Sequence, residues 1–555
     1  MIGVIASSAE EGLVREFFEL LKTPWEFYRK DRYYEVVLCA GDEHFEGTAK
    51  VVLVYAGRRT HFDDEQNIQT GPTRRRPCIF TYERNQIPIY ADTIVFSEKV
   101  NGVLTDEGSH ECTGYLDQSG ETVLARIGYD LFTEVRVLLT VGQPAAKANI
   151  PTLELHIAFL RDLITRGGAS LVEIPPIPNG YSFIACLTHD VDHPSIRLHK
   201  WDHTMFGFLY RAVFGSLSNL IRGRISVRGL ITNWAATLKL PFVHMGLAKD
   251  FWRDFPDRYL EMEDNISATF FIIPFKNYSG KSTDGVAPKF RATRYEASDI
   301  ADLISKLTAA GCEIGLHGID AWLDVSKGHE ELQEIRRLAG ASEIGVRMHW
   351  LYHDDQSPMV LEEAGASYDS TVGYNETVGY RAGTTQVYKP LHASRLLELP
   401  MHVMDTALFY LQHLNLPPLQ AKILLRQMGD NAMRFGGCLT VNWHDRSMCP
   451  ERLWGACYRD LIQDAKSRGA WFATAGQATA WFRKRRSAVF ETDCSGPSAV
   501  RVKVGLAHGN NLPGLRLRIH GARKPGAIGA YGSASYIDTA IDETVDTQAL
   551  SEAIH

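Results

Sequence analysis

Short apolar runs alternate with amphipathic segments through the middle of the chain. Seven runs of strand length share this pattern: SFIACLT (182–188), SATFFIIP (267–274), CEIGL (312–316), EIGVR (343–347), LLELP (396–400), CLTVNW (438–443) and WFAT (471–474). Helical patterns such as EASDIADLISKLTAAG lie between them. This alternation predicts an α/β fold with a mostly parallel sheet or a βα barrel. In such folds the active site lies at the carboxyl ends of the strands.

The two ends of the chain show patterns of apolar and polar residues that differ from that of the middle. Residues 1–178 alternate strand-like runs with helical ones, carry no catalytic signature, and predict an accessory α/β domain. The Pro- and Gly-rich stretch EIPPIPNG (173–180) marks its boundary with a second domain over 179–488. Over 489–555, runs such as VRVKVGLAH alternate apolar and polar residues and predict a small β-rich C-terminal domain.

Composition places the chain among globular proteins and narrows its partners. The 555 residues are 45% hydrophobic and 23% charged, and the formal net charge of -7 argues against extensive nucleic-acid binding. Nine cysteines without a CxxC pair suit a reducing compartment. The sequence shows neither a signal peptide nor a run of the roughly 18 apolar residues that span a membrane. We therefore expect a cytoplasmic protein.

Residues that bind metals or transfer protons recur where the strands of the middle domain stop. They are Asp190 and Asp192 in THDVD, His317 in EIGLHG, Arg347 and His349 in GVRMHW, and His444 in VNWHD. A single Asp or His after a strand is usually a helix cap or a solvated loop residue. Four strand ends of one sheet that all carry such residues indicate a functional site.

The residue types at these strand ends limit the chemistry of the site. Aspartate and histidine without thiolate suit Zn²⁺, Co²⁺ or Mn²⁺ in an open-sided site, where the metal lowers the pKa of water and polarises a carbonyl group. A neighbouring carboxylate can accept the proton of the water, and a histidine opposite can protonate a leaving group. Asp190 and Asp192 point the same way in an extended chain, so one can bind metal while the other acts as base.

Five motifs in a fixed order give the chain a family resemblance. LTHDVDH, EIGLHG, GVRMHWL, YDSTVGYNETVGYRAGT and TVNWHDRS resemble the motifs of the polysaccharide deacetylase family, the chitooligosaccharide deacetylase or NodB homology group. They look most like a branch with an HDVD first motif and an N-terminal accessory domain. The resemblance covers about 180–485. It implies a distorted (β/α) barrel and a metal-dependent deacetylase that uses zinc or a similar ion.

The resemblance also implies a role for each matching residue. Asp190 matches the catalytic base, and Asp192 matches a metal ligand. His317 matches the first histidine ligand, and Arg347 matches the arginine that holds the base in a charge-assisted pair. His444 matches the histidine that acts as general acid and stabilises the developing oxyanion.

The second histidine ligand that the resemblance implies is missing from this chain. Four residues after His317, in its place, stands Ala321. His349 replaces it if the stretch after Arg347 stays extended, since both side chains then face the site. Asp320 replaces it if the loop after His317 enters a helical turn. We prefer His349 of the two, and a two-residue site too weak to hold a metal is the third possibility.

A basic helical insertion over 193–250 separates the first two strands of the middle domain. As far as residue 249 it holds eight lysines and arginines, one acid, Asp202, and apolar residues at helical spacing. Three interpretations stay open: the insertion packs on the accessory domain, it forms a lid whose basic face meets an anionic substrate, or it lies on a membrane surface.

Together these features predict a hydrolase that removes an N-acetyl group from a sugar of a polysaccharide, oligosaccharide or glycan precursor. The expected partner is a saccharide or glycoconjugate, which includes anionic and lipid-linked ones, with peripheral membrane contact allowed and nucleic acid excluded. One alternative is a hydrolase of other non-peptide C–N bonds in small amides. The other is an inactive carbohydrate-binding protein. The missing histidine favours the last alternative, but Asp190 and His444 argue against it because binding alone needs neither base nor acid.

Overall fold

The computed structural model of the 555-residue protein describes residues 1–42, 45–75, 77–97, 102–492, 500–504, 512–523 and 536–541. The chain divides into two compact units. Unit 1 comprises Met1–Gly180, Tyr380–Gln386 and Ala480–His555. Unit 2 comprises Tyr181–Gly379 and Val387–Thr479. All the candidate site residues belong to unit 2.

Unit 1 begins with a mixed sheet and four helices. Its first strands are β1 (Ile2–Ile5), β2 (Trp25–Phe27), β3 (Val36–Ala40), β4 (Val51–Tyr55), β5 (Cys78–Tyr82), β6 (Asn85–Ile89), β7 (Gly102–Asp106), β8 (Cys112–Ser119), β9 (Thr122–Ile127) and β10 (Leu171–Glu173). The helices are α1 (Glu11–Leu21), α2 (His61–Glu65), α3 (Leu131–Leu139) and α4 (Thr152–Arg166). The sheet order is β2-β1-β3-β4-β9-β8-β7-β5-β6, parallel as far as β9 and antiparallel beyond it.

Unit 2 is organised around a parallel sheet. Its strands are β11 (Ile184–Val191), β12 (Thr269–Ile272), β13 (Lys281–Ser282), β14 (Gly285–Val286), β15 (Glu313–Gly318), β16 (Val346–Met348), β17 (Val403–Met404), β18 (Cys438–Asn442) and β19 (Trp471–Phe472). The main sheet has the order β16-β15-β12-β11-β18-β17, β19 also pairs with β11, and all of these pairs are parallel. The predicted α/β fold with a mostly parallel sheet is confirmed.

The helices of unit 2 alternate with these strands. They are α5 (His203–Tyr210), α6 (Ser216–Ile221), α7 (Val227–His244), α8 (Phe255–Glu263), α9 (Ala301–Ala309), α10 (Val325–Ala339), α11 (Ser357–Ala364), α12 (Asp405–Phe409), α13 (Pro418–Phe435) and α14 (Gly455–Ser467), followed by α15 (Ala475–Arg486), which is divided between the units. Local sequence sets their ends. Asp324 caps α10 by accepting from the N–H of Lys327, and Gly340 ends it in the left-handed conformation that glycine adopts without strain.

β11 lies in the centre of the sheet because its sequence is apolar up to the first aspartate. All of its residues are buried, and it pairs with β12 on one side and β18 on the other. Parallel pairing brings the carboxyl ends of neighbouring strands to the same edge. In β15 and β16 the register places His317 directly beside Arg347. The predicted site residues therefore share one edge of the sheet.

The sheet continues from β16 toward β17 through single bridges. Parallel bridges join Val346 to Asp369 and Asp369 to Glu398. Among the described residues, the predicted strand over 396–400 contributes bridges at Glu398, and β17 begins further along, at Val403. Closure of the sheet into a barrel depends on these bridges, and the barrel stays a prediction.

The insertion over 193–250 is helical. α5 continues through a π-helical turn (Arg211–Gly215) into α6, and α7 packs against this segment. The side chains of Asp202 and Ser226 cap α5 and α7. Among the described residues, no helix is both long enough and apolar enough to cross a bilayer.

The last four strands of the described residues belong to unit 1. They are β20 (Val489–Thr492), β21 (Val500–Lys503), β22 (Leu515–His520) and β23 (Tyr536–Ile541). β20 and β21 form a hairpin, and β22 lies between β10 and β23 in an antiparallel sheet. Much of the predicted C-terminal domain over 489–555 lies outside the described residues. The division into domains at 178 and 488 stays a prediction.

Candidate metal centre

The strand-end residues of unit 2 come together at one cavity. Asp190 lies in β11 and Asp192 directly follows it, His317 lies in β15, Arg347 in β16, His349 in the next turn and His444 after β18. The cavity has a volume of about 850 Å³. Asp190, Asp192, His317, His349 and His444 line it. Arg347 is fully buried and contacts Asp190.

Asp192, His317 and His349 form a cluster of potential metal ligands. One donor atom from each lies within 4.8 Å of the others. Oδ1 of Asp192 is 3.5 Å from Nε2 of His317 and 3.5 Å from Nδ1 of His349. These two ring nitrogens are 3.0 Å apart. One carboxylate oxygen and two imidazole nitrogens suit Zn²⁺, Co²⁺ or Mn²⁺.

In His317 and His349, the ring nitrogen that points away from the other histidine contacts a backbone carbonyl oxygen; we call it the outer nitrogen. Nδ1 of His317 lies 2.9 Å from the carbonyl oxygen of Arg347, and Nε2 of His349 lies 3.2 Å from that of Arg291. Because a carbonyl oxygen only accepts, each outer nitrogen carries a proton, and in the neutral ring the facing nitrogen presents a lone pair. Two lone pairs 3.0 Å apart repel each other unless a cation lies between them.

Asp192 favours a metal ion over a shared proton as this cation. Its Oδ1 atom is buried and has no hydrogen-bond partner among the described residues, although buried polar atoms ordinarily have one. Burial lowers the pKa of His349 to about 3, which keeps the ring neutral and available as a ligand. The three residues therefore fit a divalent metal ion.

An unusual backbone turn and one arginine fix the position of His349. Trp350 and Leu351, which follow it, have φ angles of 63° and 57°, left-handed values that are uncommon outside glycine. Nη2 of Arg291 donates to the carbonyl oxygen of His349 at 2.8 Å, and the carbonyl oxygen of Arg291 accepts from its ring. The predicted extended stretch after Arg347 ends with β16 at Met348, so His349 is the first residue of the turn that follows and not part of the strand. Strained turns of this kind concentrate at functional sites.

Asp190 lies beside the ligand cluster and is held by two donors. Nη1 of Arg347 donates to Oδ1 at 3.1 Å, and Nδ2 of Asn442 donates to Oδ2 at 2.7 Å. Oδ2 is also 3.8 Å from Nε2 of His317. Burial acts to raise the pKa of Asp190, but the interactions with His317 and Arg347 outweigh it and lower the pKa. Asp190 is therefore an oriented, ionised carboxylate at neutral pH.

Arg347 is fixed by further contacts on every side of its guanidinium group. Nη1 also donates to Oγ1 of Thr188 at 2.6 Å. Nε donates to the carbonyl oxygen of Ser370 at 3.0 Å, and Nη2 donates to its hydroxyl at 2.9 Å. The guanidinium carbon lies 4.5 Å from the ring centre of Phe271. An arginine held this firmly gives Asp190 a single orientation.

His444 is paired with a carboxylate that the sequence analysis missed. Nδ1 of His444 lies 2.6 Å from Oδ1 of Asp405, and its backbone N–H donates to Oδ2 at 2.7 Å. Nε2 of His444 is 3.8 Å from Oδ2 of Asp192. Burial acts to lower the pKa of His444, but Asp405, together with the charges of Asp192 and Asp190, outweighs it and raises the pKa to about 10. Asp405 directly follows β17, so the strand-end pattern would have indicated it if β17 had been predicted.

Asp320, the alternative third ligand, is engaged elsewhere. Its Oδ1 accepts the N–H of Lys281 at 2.8 Å, and its Oδ2 accepts the hydroxyl of Tyr278 and the ammonium group of Lys327. Asp320 is not part of the ligand cluster found among the described residues. Ala321 is fully buried. The structure brings His349, and not Asp320, to His317 and Asp192.

The two histidines of the HDVDH motif, His189 and His193, make contacts outside the ligand cluster. His189 is buried, with Nδ1 2.7 Å from the carbonyl oxygen of Trp443 and Nε2 2.8 Å from Oε1 of Glu263. His193 lines the cavity, and its Nδ1 is 3.1 Å from Nε2 of His199. Neither belongs to the ligand cluster.

Comparison with known proteins found remote structural likeness alone. No family model matches the sequence. No curated protein matches it either. Similar solved structures include a protein assigned as a polysaccharide deacetylase from Mycobacterium smegmatis (18% identity, 58% of this chain and 98% of that chain, TM-score 0.36). Another, assigned in the same way, is from Pseudomonas aeruginosa PAO1 (16%, 58% and 98%, TM-score 0.33). A third is Puue allantoinase (16%, 55% and 91%, TM-score 0.31). Likeness this low carries no argument about activity, so the function rests on the geometry of the site.

Proposed function

We propose that the protein is a metal-dependent hydrolase that removes an N-acetyl group from an N-acetylated sugar of a polysaccharide, oligosaccharide or glycan precursor. The observation that carries this proposal is the cluster of Asp192, His317 and His349, whose facing donor atoms fit one divalent cation. An ionised carboxylate and a protonated histidine lie beside it. The sequence motifs that resemble the polysaccharide deacetylase family support the same assignment.

Each residue of the site has a role in this proposal. Asp192, His317 and His349 hold the metal, for which Zn²⁺ is the first choice and Co²⁺ or Mn²⁺ are alternatives. When bound, the metal supplies Lewis acidity toward the acyl carbonyl group and toward water. Asp190, oriented by Arg347 and Asn442, accepts a proton from the attacking water.

His444 completes the reaction as the proton donor. Asp405 keeps its ring protonated at neutral pH and oriented through Nδ1, so that Nε2–H is free to donate. A departing amine needs a proton more than a departing alkoxide does, so such a donor favours C–N cleavage over ester cleavage. The same N–H can stabilise the oxyanion that forms on the acyl group.

The size and lining of the cavity favour a saccharide over a small cyclic amide. Its volume of about 850 Å³ lies toward the upper end of the range for ligand sites, about 300–1,000 Å³. Phe290, Trp350, Tyr352 and Tyr410 contribute aromatic surface to its wall. Aromatic rings with polar tips suit sugar rings, which combine apolar faces with hydroxyl groups.

Substrate turnover by the full-length protein tests the proposal. The protein is stripped with a chelator, reloaded with Zn²⁺, Co²⁺ or Mn²⁺, and incubated with a panel of N-acetylated hexosamines and chitooligosaccharides and, separately, with allantoin. We expect acetate release from at least one saccharide, dependent on metal and absent in Asp190→Asn. Opening of allantoin without acetate release would replace the proposal with a small-amide hydrolase. No turnover by a metal-loaded protein that still binds saccharide would replace it with a binding protein.

A further inference from the structure

The first helical segment of the insertion, which runs from α5 through the π-helical turn into α6, carries a stripe of apolar side chains on its solvent side. Phe206, Tyr210, Phe214, Leu217 and Ile221 recur every three or four residues, and all are exposed, Ile221 by 79%. This spacing places them along one face of a helix. The opposite face of the same segment is already used, since it is buried in a core of unit 2.

α7 carries a second stripe with the same spacing. Its exposed members are Val227, Ile231, Trp234, Leu238 and Phe242, and Met245 continues the spacing directly after the helix. On the inner face, Ala236, Leu240 and Val243 are buried in the same core as the first segment. Each helical segment therefore has one apolar face packed in unit 2 and another in water. Single exposed apolar residues are normal, but two such stripes on packed helices mark an interaction surface.

The insertion that carries these stripes is positively charged. Its exposed basic residues are Arg197, Lys200, Arg222, Arg228, Lys239 and Lys249. Its two carboxylates are already engaged. Asp250 is buried and accepts the hydroxyl of Ser195, and Asp202 caps α5 and contacts His199 at 2.8 Å. The insertion itself therefore presents more positive than negative charge to solvent.

We propose that this outer face of α5–α7 docks on an anionic membrane surface, with the helices lying in the plane of the interface. An apolar face on a basic helical segment is the usual composition of such an anchor. Exposed Trp201, Tyr210 and Trp234 suit the headgroup level, where amphipathic rings concentrate. A second copy of the chain is a poorer occupant because two positive surfaces repel each other.

The docking proposal goes beyond the hydrolase function and does not depend on it. If the protein both docks on a membrane and acts as a hydrolase, the position of the insertion limits where the substrate is bound. His203, Thr204 and Arg211 of the same insertion line the active-site cavity. A docked insertion holds this cavity close to the bilayer, where a lipid-linked saccharide is presented.

Vesicle cosedimentation of the full-length protein tests the docking surface. The vesicles are phosphatidylcholine alone and phosphatidylcholine mixed with phosphatidylglycerol. One variant combines Phe214→Ser, Ile221→Ser, Ile231→Ser and Leu238→Ser, and a second combines Arg222→Glu, Arg228→Glu and Lys239→Glu. The matched control is Leu419→Ser with Ile423→Ser, two exposed apolar residues of α13. Thermal unfolding checks that every variant is folded.

We expect the parent and the control to bind the anionic vesicles, less tightly at higher salt. Both insertion variants should bind at least about tenfold more weakly, since each removes one part of the attraction. A parent that does not bind anionic vesicles, or an apolar variant that binds like the parent, overturns the proposal. A concentration-dependent dimer that the apolar variant abolishes, without vesicle binding, assigns the surface to a second copy instead.

Three arginines at the wall of the cavity carry a second, independent inference. Arg211, from the π-helical turn of the insertion, lines the cavity with Arg446 and Arg452. The Nε atoms of all three are buried without a hydrogen-bond partner among the described residues. Burial, together with the charges of Arg452 and Arg446, lowers the pKa of Arg211 to about 10. Three cationic groups thus lie close together on one side of the site.

Among the described residues, no carboxylate bonds directly to these three guanidinium groups, although the charge of Glu451 acts on Arg211 and Arg452 from nearby. Both carboxylate oxygens of Glu451 are buried without a hydrogen-bond partner among the described residues, so Glu451 does not bind a guanidinium group. Asp445 accepts the backbone N–H groups of His193 and Arg446. Arg452 donates to the hydroxyl of Tyr410 at 2.6 Å and to that of Ser447 at 3.5 Å. Arg446 and Arg452 also lie over the rings of Trp252 and Trp454, and these contacts leave their charge unneutralised.

We infer that Arg211, Arg446 and Arg452 bind a phosphate or diphosphate group of the substrate. This inference rests on the proposed function, and it narrows the substrate to a phosphorylated or diphosphate-linked saccharide. Guanidinium groups match phosphate oxygens in geometry as well as charge.

Binding of inorganic pyrophosphate by metal-loaded protein, measured by calorimetry, tests this inference without turnover. The variants are Arg211→Gln and Arg446→Gln, and the control is Arg224→Gln, an arginine of the same insertion that binds Asn415. We expect each cavity variant to lose about tenfold or more in affinity and the control to lose none. Equal affinity in all variants places the anion elsewhere and overturns the inference, while acetate release from neutral saccharides would still uphold the hydrolase. Glucuronate binding in place of pyrophosphate would assign the arginines to a carboxylate and also overturn it.

Discussion

Nε2 of His317 and Nδ1 of His349 face each other at 3.0 Å, and each ring donates its other N–H to a backbone carbonyl oxygen. Oδ1 of Asp192 lies 3.5 Å from both nitrogens and has no hydrogen-bond partner among the described residues. Facing lone pairs and an unpaired buried oxygen are both unfavourable. One divalent cation satisfies all three atoms, and this is why His349 is the proposed third ligand.

Replacing Asp190 by asparagine should abolish turnover and leave metal binding intact. The amide has the shape of the carboxylate but cannot accept a proton from water. We expect kcat to fall by about 10²–10⁴-fold, the usual contribution of a general base. Acetate release measures turnover, and elemental analysis measures bound metal. Asp355→Asn, an exposed aspartate, is the control. Near-parent activity of Asp190→Asn would show that the base is wrongly assigned.

The pair of Asp405 and His444 should set the alkaline limit of activity. A histidine with a pKa of about 10 loses its proton, and its capacity to donate, as the pH rises through that value. Asp405→Asn removes the largest of the charges that raise this pKa, so that burial lowers the pKa of His444 in the variant. The alkaline limb of kcat/KM should therefore move to lower pH in the variant, as a pH series of both proteins would measure. A limb that stays in place or moves upward would contradict the role of His444.

Loss of Arg347 should destabilise the protein more than loss of an exposed arginine. Arg347→Met leaves the carboxylate of Asp190 buried without its cationic partner, which costs about 3–5 kcal/mol. The control is Arg337→Met, which breaks an exposed ion pair with Glu334 on α10 and costs about 1 kcal/mol or less. Thermal unfolding of the full-length protein should show a clearly larger decrease in Tm for Arg347→Met. Equal decreases would mean that the buried pair is not a structural anchor.

The sequence predicts the parallel sheet and most of the site because both follow from local patterns. Apolar runs of strand length identify β11, β15 and β18, and the polar residues that end them, such as Asp190 and His444, meet at one edge. These predictions need no knowledge of long-range contacts. His349 is different, because its prediction assumed an extended stretch that ends one residue before it, at Met348. The turn that follows, held by Arg291, brings His349 to His317 instead.

The parts that sequence reasoning missed depend on contacts between distant residues. Asp405 reaches His444 from a segment whose strand begins later than predicted. Arg291 fixes His349 through its backbone carbonyl oxygen, which no side-chain pattern reveals. The apolar residues of the insertion predict helices, but the pattern does not show which apolar face is buried. Phe208 and Phe214 lie on the same helical segment, yet the first is fully buried and the second is exposed.

Metal binding by the parent and by His349→Ala shows whether His349 completes a metal site with Asp192 and His317. Zn²⁺ is titrated into chelator-stripped, full-length protein. The controls are Asp320→Asn and His413→Ala, which removes another histidine that lines the cavity. We expect about one tightly bound ion per chain in the parent and in both controls. In His349→Ala we expect the Zn²⁺ affinity to fall by more than the about 10–100-fold that is lost when a residue hydrogen-bonded to a metal ligand is removed. If the parent binds no metal, or if Asp320→Asn loses Zn²⁺ binding while His349→Ala keeps it, then Asp192, His317 and His349 are not the metal site.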